Sequence, residues 1–438
     1  MQRYPQTTPG VVRALRTLAA CRTAALGGHA TRCDHCGVVN YHYHSCGNRH
    51  CPSCGGSKRA AWLEKRRADL LSVPYFHLVF TLPHELSALA LGNRQVLYGL
   101  LFDAAAQTLL QIGADPKHLG ARLGALAVLH TWGQQLEHHP HVHMVVPGGG
   151  LACDRHGVVA EPRCWLSSRP NFLVPVKVLG RVFRGKYLEG LRQAYDTGQL
   201  QFGGSTATLA EGKCWRAFLQ PLYVKDWVVY AKKPFGGPAQ VLKYLTAYTH
   251  RVALSNRRLV ALSDSHVTLT YKDYADGCRR KELTLETLEF VRRFAMHIVP
   301  KGFVRVRHYG LLAHRDRGVR LAKCRALLAA DHAVAPIVAS SAAPAEAPTP
   351  LSLAAAVGAV AAARPTTLAL PLLVGVLATP AAIAPAPVAA AVTAPPTPVH
   401  GVAAERCPGC GHGRLITVWH AGRPTSRQLE QCWRWNTS

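Results

Sequence analysis

The stretch His138-His139-Pro140-His141-Val142-His143-Met144-Val145-Val146 sets imidazoles at alternate positions and then runs into apolar residues. That pattern fits a β-strand, in which residues two apart share a face. His141 and His143 then point the same way, their Cα atoms about 6.6 Å apart, while Val142 turns into a core. The run Gly124–Leu136 before it, a polar turn near Glu137 and the closing Gly148-Gly149-Gly150 make the segment a β-hairpin. Two imidazoles on one strand face can chelate one divalent cation, whereas a solvated histidine cluster leaves the apolar continuation unexplained. His139 has the same parity, but Pro140 interrupts pairing beside it and places it at the strand entry.

Five of the 14 cysteines lie between Cys33 and Cys54, a clustering that indicates metal in a reducing compartment rather than a secreted disulfide framework. Cys33-x-x-Cys36 and Cys51-x-x-Cys54 stand fourteen residues apart, and two such knuckles complete a closed tetrahedral zinc site. Cys46, His50, Cys21 and His29 remain as further ligand types. They allow a second zinc, or Cys46 in place of one of the four. A closed site leaves no position for substrate, so its expected role is folding and docking.

Charge narrows the partner. The 438 residues hold 51 Lys and Arg against 24 Asp and Glu, a formal net charge of +27. A field of that size suits a phosphate backbone, whose neutralisation releases condensed counterions. Residues 1–70 alone carry eleven Lys or Arg and three Asp or Glu, net +8. The expected divisions are a zinc- and DNA-binding domain over 1–70, a catalytic domain over 71–330, an Ala/Pro-rich disordered linker over 331–404, and a small Cys407-x-x-Cys410 knuckle with its tail over 405–438. Within the linker, Pro371 and Pro380 bracket a leucine-rich core shorter than the ~18 apolar residues a spanning helix needs, so no membrane partner is expected. Arginines interrupt each apolar run at the amino terminus, which argues against a signal peptide and for a cytoplasmic, nucleoid-associated protein.

In "GGPAQVLKYLTAYTHRVALSNRRL", Val241, Leu242, Leu245 and Ala253 follow helical spacing, and Tyr244 and Tyr248 share one face about 40° apart. Paired tyrosines commonly pack a core. Beside Lys243, His250, Arg251 and a metal-ligand strand, they also fit a nucleophile that attacks phosphorus and holds a covalent phosphotyrosine.

Together these residues resemble a known family. His141-Val142-His143 has the His-hydrophobe-His form of the HUH endonucleases. With Tyr244-x-x-x-Tyr248, the strand "FHLVFTLP" at 76–83, "SCGNRHCPSC" at 45–54, "FVRVRHYGLLAHRDRG" at 303–318 and the late "CPGCG", the chain is similar to rolling-circle transposases of the insertion-sequence-ninety-one family. The likeness spans residues 10–330, and the departure is the long Ala/Pro insert before Cys407.

The resemblance implies an α+β fold: a central antiparallel sheet flanked by helices, with His141 and His143 on a middle strand, preceded by a small zinc-binding domain. It implies a catalytic Mg²⁺ or Mn²⁺ beside the structural Zn²⁺, and a third protein ligand, with Gln134 favoured among Gln134, Gln135, Glu137 and His130. Tyr244 or Tyr248 would nick single-stranded DNA at element ends and target, leaving a 5′-phosphotyrosine and a 3′-hydroxyl. Lys243, Arg251, Arg257 and Arg258 would bind the strand, joined by Arg279, Arg280, Lys281, Arg305, Arg307, Arg315, Arg317 and Arg320. Two other readings remain. A zinc-ribbon DNA-binding protein without catalysis leaves the histidines and tyrosines idle, and a zinc hydrolase built on His139, His141 and His143 lacks an accompanying HExxH base.

Overall fold

The computed structural model describes residues 8–54, 62–153, 164–235, 240–241, 252–334 and 406–422. Tyr244, Tyr248, Lys243 and Arg251 lie outside these residues, as do positions 335–404 of the linker expected over 331–404, whose first four residues are instead the end of a helix. In chain order come helix α1 (Pro9–Ala19), strands β1 (Gly28–Cys33), β2 (Val39–Tyr43) and β3 (Tyr75–Thr81), and helix α2 (Arg94–Ala114). Next are β4 (Gly124–Trp132), β5 (His138–Pro147), α3 (Val176–Asp196), β6 (Val229–Phe235), β7 (Leu259–Leu262), β8 (His266–Asp273) and β9 (Arg279–Glu286). Helix α4 (Thr287–Met296), β10 (Val306–Gly310), α5 (Arg317–Val334) and β11 (Leu415–Ala421) follow, with shorter elements between them.

Two compact units result. One takes in the chain up to Gly56, residues 254–298 and the carboxy-terminal strand, and the other holds residues 57–253 and 299–366. The second is built on a five-stranded antiparallel sheet in the order β10-β4-β5-β3-β6, with β5 in the middle. The mixed α+β class with antiparallel sheets and an amino-terminal cysteine cluster agrees with the sequence expectation.

Alternation decides what each face of that sheet does. Phe76, Leu78 and Phe80 of β3, Ala125, Ala127 and Leu129 of β4, and Val142, Met144 and Val146 of β5 point to one side. There they meet Leu97, Leu101 and Phe102 of α2 and Phe183 and Tyr187 of α3 in one continuous core. Phe80 and Phe183 pack edge to face with ring centroids 5.2 Å apart. Each such side chain contributes about 1.5–3 kcal/mol on full burial. Helix α2 is long and apolar enough to cross a membrane by length and composition, yet 61% of that stretch is buried in the protein. A helix roofed by α3 and floored by a sheet has to be apolar on most of its circumference.

The hairpin turn explains how β4 and β5 are set. Gly133 N–H donates to the Glu137 carbonyl at 3.1 Å, and Gln135 N–H donates to the Glu137 carboxylate at 2.9 Å. A Cβ at Gly133 would meet that carboxylate, so a larger residue there would displace the Glu137 side chain from its bond to Gln135. Leu136 takes a left-handed φ of 62°, unusual for a branched residue, and is fully buried in exchange.

In the first unit, β1 is the middle strand of the sheet β11-β1-β2, and β7-β8-β9 form a separate antiparallel sheet. Six residues of β1 pair with β11, from Gly28 opposite Ala421 to Cys33 opposite Leu415.

Candidate active site and metal centres

The second face of the five-stranded sheet carries the histidines. His141 lies opposite His130 of β4, and His143 lies opposite Val79 of β3 and Val128 of β4. Directly paired residues share a face, so His130, His141 and His143 converge. Their ring centroids are 4.3 Å (His130 to His143), 4.8 Å (His141 to His143) and 5.5 Å (His130 to His141) apart. One ligand nitrogen from each lies within 4.8 Å of the others. Two nitrogens on opposite sides of one ion with ~2.1 Å bonds stand ~4.2 Å apart, so small side-chain rotations bring all three onto one cation.

Burial keeps His141 and His143 neutral. It lowers the His141 pKa to about 4, and it lowers His143 well below the usual value with help from His130, His141 and His77. A neutral imidazole with a lone pair is the form a metal takes. The hydrogen bonds choose which nitrogen. His141 Nδ1–H donates to the His139 carbonyl at 2.7 Å, and since a carbonyl only accepts, the lone pair stays on Nε2. His143 Nδ1 lies 2.8 Å from His77 Nε2, and the two rings stack with centroids 5.1 Å apart. Burial, then Lys232 and His141, push the His77 pKa down to about 3. A neutral His77 can accept from His143 Nδ1–H, leaving Nε2 of His143 turned to ligation.

The four clustered histidines therefore divide by strand parity. His138 faces the opposite side, where its Nε2 lies 2.7 Å from the Tyr98 hydroxyl of α2. His139 contributes its backbone carbonyl. Gln134, the favoured third ligand, lies in the turn between β4 and β5, and the imidazole brought to the pair is that of His130. The sequence assigns no role to His77: "FHLVFTLP" reads as a strand, but only the register of β3 against β5 shows that His77 stands beside His143.

The rest of this face is apolar. Tyr75, Leu126, Val128 and Val145 pack with Leu321 and Cys324 of α5 and with Val241, which is fully buried. At the edge, Arg66 stands 2.8 Å from Asp69 and 3.3 Å from His308 Nε2, and Arg317 lies 3.6 Å from Asp69. His308 and His314 stack edge to face at 4.6 Å.

The basic residues proposed for DNA separate into two groups. Arg257 is exposed and Arg258 is half-buried, its Nε donating to the Thr270 carbonyl at 2.7 Å. Arg280 is exposed on β9, whereas Lys281 is bridged to Asp273 at 2.8 Å and Asp276 at 3.0 Å. Three others serve the fold: Arg305 is buried, Arg307 lies 4.4 Å over the Phe102 ring, and Arg320 donates to the carbonyls of Leu311 and Ala313.

The cysteine grouping corrects the sequence expectation. Cys33, Cys36, Cys51 and Cys54 do not meet at one point. Among the described residues the thiols gather instead as Cys21, Cys46, Cys51 and Cys54, and as Cys33, Cys36, Cys407 and Cys410, each set within 4.8 Å. The reason lies in β1 and β2: the chain leaves Cys33 along a turn and returns along β2, so Cys46 and the second knuckle reach Cys21 at the far end of β1. In the first set, Cys51 and Cys46 lie 3.6 Å from Cys21 and Cys54 respectively, and hydrogen bonding from Cys21 and Cys46 draws the Cys51 thiol down to about 4. Thiolates at these separations fit a tetrahedral zinc ion with ~2.3 Å bonds, whose sulfurs lie ~3.8 Å apart.

Two known families match parts of the chain. A family described as "Transposase zinc-binding domain" matches residues 1–82, and one described as "Putative transposase" matches residues 124–319. The chain is 51% identical over 316 residues to the putative transposase y4qJ of Sinorhizobium fredii, covering 72% of this chain and 78% of that one. It is 31% identical over 318 residues to the transposase for insertion sequence element IS801 of Pseudomonas savastanoi pv. phaseolicola, covering 71% and 72% respectively. No solved structure matches the chain.

Proposed function

The chain belongs to the insertion-sequence-ninety-one family of transposases, and from that premise we propose that it cuts and rejoins single-stranded DNA through a tyrosine-linked intermediate. The proposed metal centre is His130, His141 and His143 with one Mg²⁺ or Mn²⁺, and Gln134 in the adjoining turn is a further candidate ligand. The observation that carries this reading is the convergence of three imidazoles on one face of the central sheet. When bound, the cation supplies positive charge beside the scissile phosphate.

Tyr244 or Tyr248 is the proposed nucleophile. Its phenolic oxygen forms a bond to phosphorus as the bond from phosphorus to the 3′-oxygen breaks. The phenolic proton is lost to a base or water, and the departing oxygen takes up a proton to become a 3′-hydroxyl. The 5′ end stays on tyrosine as a phosphodiester, so an incoming 3′-hydroxyl can reseal the strand without a nucleoside triphosphate. Val241, three residues before Tyr244, is buried against Leu126 and Val145 on the histidine-bearing face, which supports the tyrosines' assignment to this site. Lys243, Arg251, Arg257 and Arg258 are proposed to hold the strand through its phosphates.

Incubation with Mn²⁺ and labelled single-stranded hairpins tests the reading by counting covalent adduct on denaturing gels. Wild-type protein should form the adduct, and the Tyr244→Phe, Tyr248→Phe double variant should form none. Adduct that survives the double replacement overturns the proposal.

A further inference from the structure

We propose that Cys33, Cys36, Cys407 and Cys410 hold a second zinc ion, which clasps the carboxy-terminal knuckle onto the amino-terminal domain. The matched zinc-binding region ends at residue 82 and so does not account for Cys407 or Cys410.

Distances fit the ion. Cys33 Sγ lies 3.8 Å from Cys410 Sγ and Cys36 Sγ lies 3.7 Å from Cys407 Sγ, against the ~3.8 Å expected around tetrahedral zinc. The two halves also repeat one local design. Gly37 N–H donates to the Cys33 carbonyl at 3.1 Å and Gly411 N–H to the Cys407 carbonyl at 2.9 Å, while Cys36 N–H points to Cys33 Sγ and Gly413 N–H to Cys410 Sγ, each at 3.4 Å. Gly37 and Gly411, each directly after the second cysteine of its pair, have left-handed φ values of 73° and 71°. Amides aimed at sulfur favour the thiolate, the form that binds a metal.

The surroundings are shaped for close approach. A Cβ at Gly413 would sit 2.3 Å from Cys33 Sγ, so only glycine lets that backbone reach the sulfur. Arg414 N–H donates to the Asp34 carboxylate at 2.7 Å and Asp34 N–H to the Arg414 carbonyl at 3.1 Å, fixing one knuckle on the other. The sheet pairing of β1 with β11 continues from there. The ligand pairs are 371 and 377 residues apart in the chain, so the ion closes nearly the whole polypeptide into one ring. The cost of closing a ring grows only with the logarithm of its length, so the long intervening chain does not prevent the clasp.

Native mass spectrometry and elemental analysis of the full chain test this. Two zinc ions per wild-type chain are expected, and one in the Cys407→Ser, Cys410→Ser double variant and in the Cys33→Ser, Cys36→Ser double variant. One zinc in the wild type, two in either variant, or iron in place of zinc overturns the proposal. A folded-state readout avoids dependence on those variants. With a specific protease site inserted between residues 350 and 400, the cleaved carboxy-terminal fragment should co-elute with the rest of the chain until zinc is chelated. Early release, or retention after both ions are gone, rejects the clasp.

Discussion

His143 Nδ1 and His77 Nε2 stand 2.8 Å apart across the β3–β5 pair, so an imidazole on a neighbouring strand sets the orientation of a proposed metal ligand. Replacing His77 by Ala should therefore weaken the metal rather than remove the site. Loss of such a supporting partner costs about 10–100-fold in metal affinity. A Mn²⁺ titration of adduct formation should shift its midpoint by that factor and recover its plateau at high Mn²⁺. An unchanged midpoint rejects the role, whatever happens to the melting temperature.

His139 and His141 offer a sharper contrast. The first supplies a carbonyl, which alanine also possesses, and the second supplies a ring. Adduct formation should persist in His139→Ala and fall to background in His141→Ala. Equal loss in both would restore the hydrolase-like arrangement that uses the His139 ring.

Neighbouring cations on β9 should differ in what they give to DNA. Arg280 is exposed, while Lys281 already faces two carboxylates. For single-stranded DNA, each phosphate contact contributes about 0.7 to the slope of log affinity against log salt. Arg280→Ala should flatten the slope by roughly that amount, and Lys281→Ala should leave it unchanged. Filter binding across a salt series reads both, and a flat response to Arg280→Ala removes β9 from the interface.

On α4, Arg292 and then Arg293 hold Glu289 well below the ordinary carboxylate range, at about 2. A depressed folded-state pKa adds stability above the unfolded value, near 4.5, and that stability disappears as pH falls toward 2. Urea midpoints of the wild type and Glu289→Gln should differ at pH 6 and converge as pH falls toward 2. A gap that persists at the acid end excludes the ion pairs as its source.

Much of this was legible in one dimension. Period-two alternation placed His141 and His143 on one face and Val142 in the core, because side-chain parity on a strand is a local property. Cross-strand register is not. His130 joins the pair only because β4 runs opposite β5 with an irregularity between His130 and Trp132, and His77 only because β3 flanks β5 on its other side. Proximity along the chain misled in the cysteine region for the same reason. Cys33 and Cys36 find their partners some 370 residues away, and short spacing favours the nearer knuckle until the sheet that separates them is known. The tyrosine pair was legible as a motif, and its placement falls outside the described residues.

The pairing of β1 with β11 has a consequence during synthesis. A ribosome adding about 5–20 residues per second needs roughly 20–75 s to travel the ~380 positions from Cys33 to Leu415. Throughout that interval the nascent amino-terminal sheet shows one bare edge, a template for stray strands. Gene copies decayed by a premature stop codon would deliver that bare edge permanently, and their products should be cleared or aggregate instead of competing with intact protein for DNA.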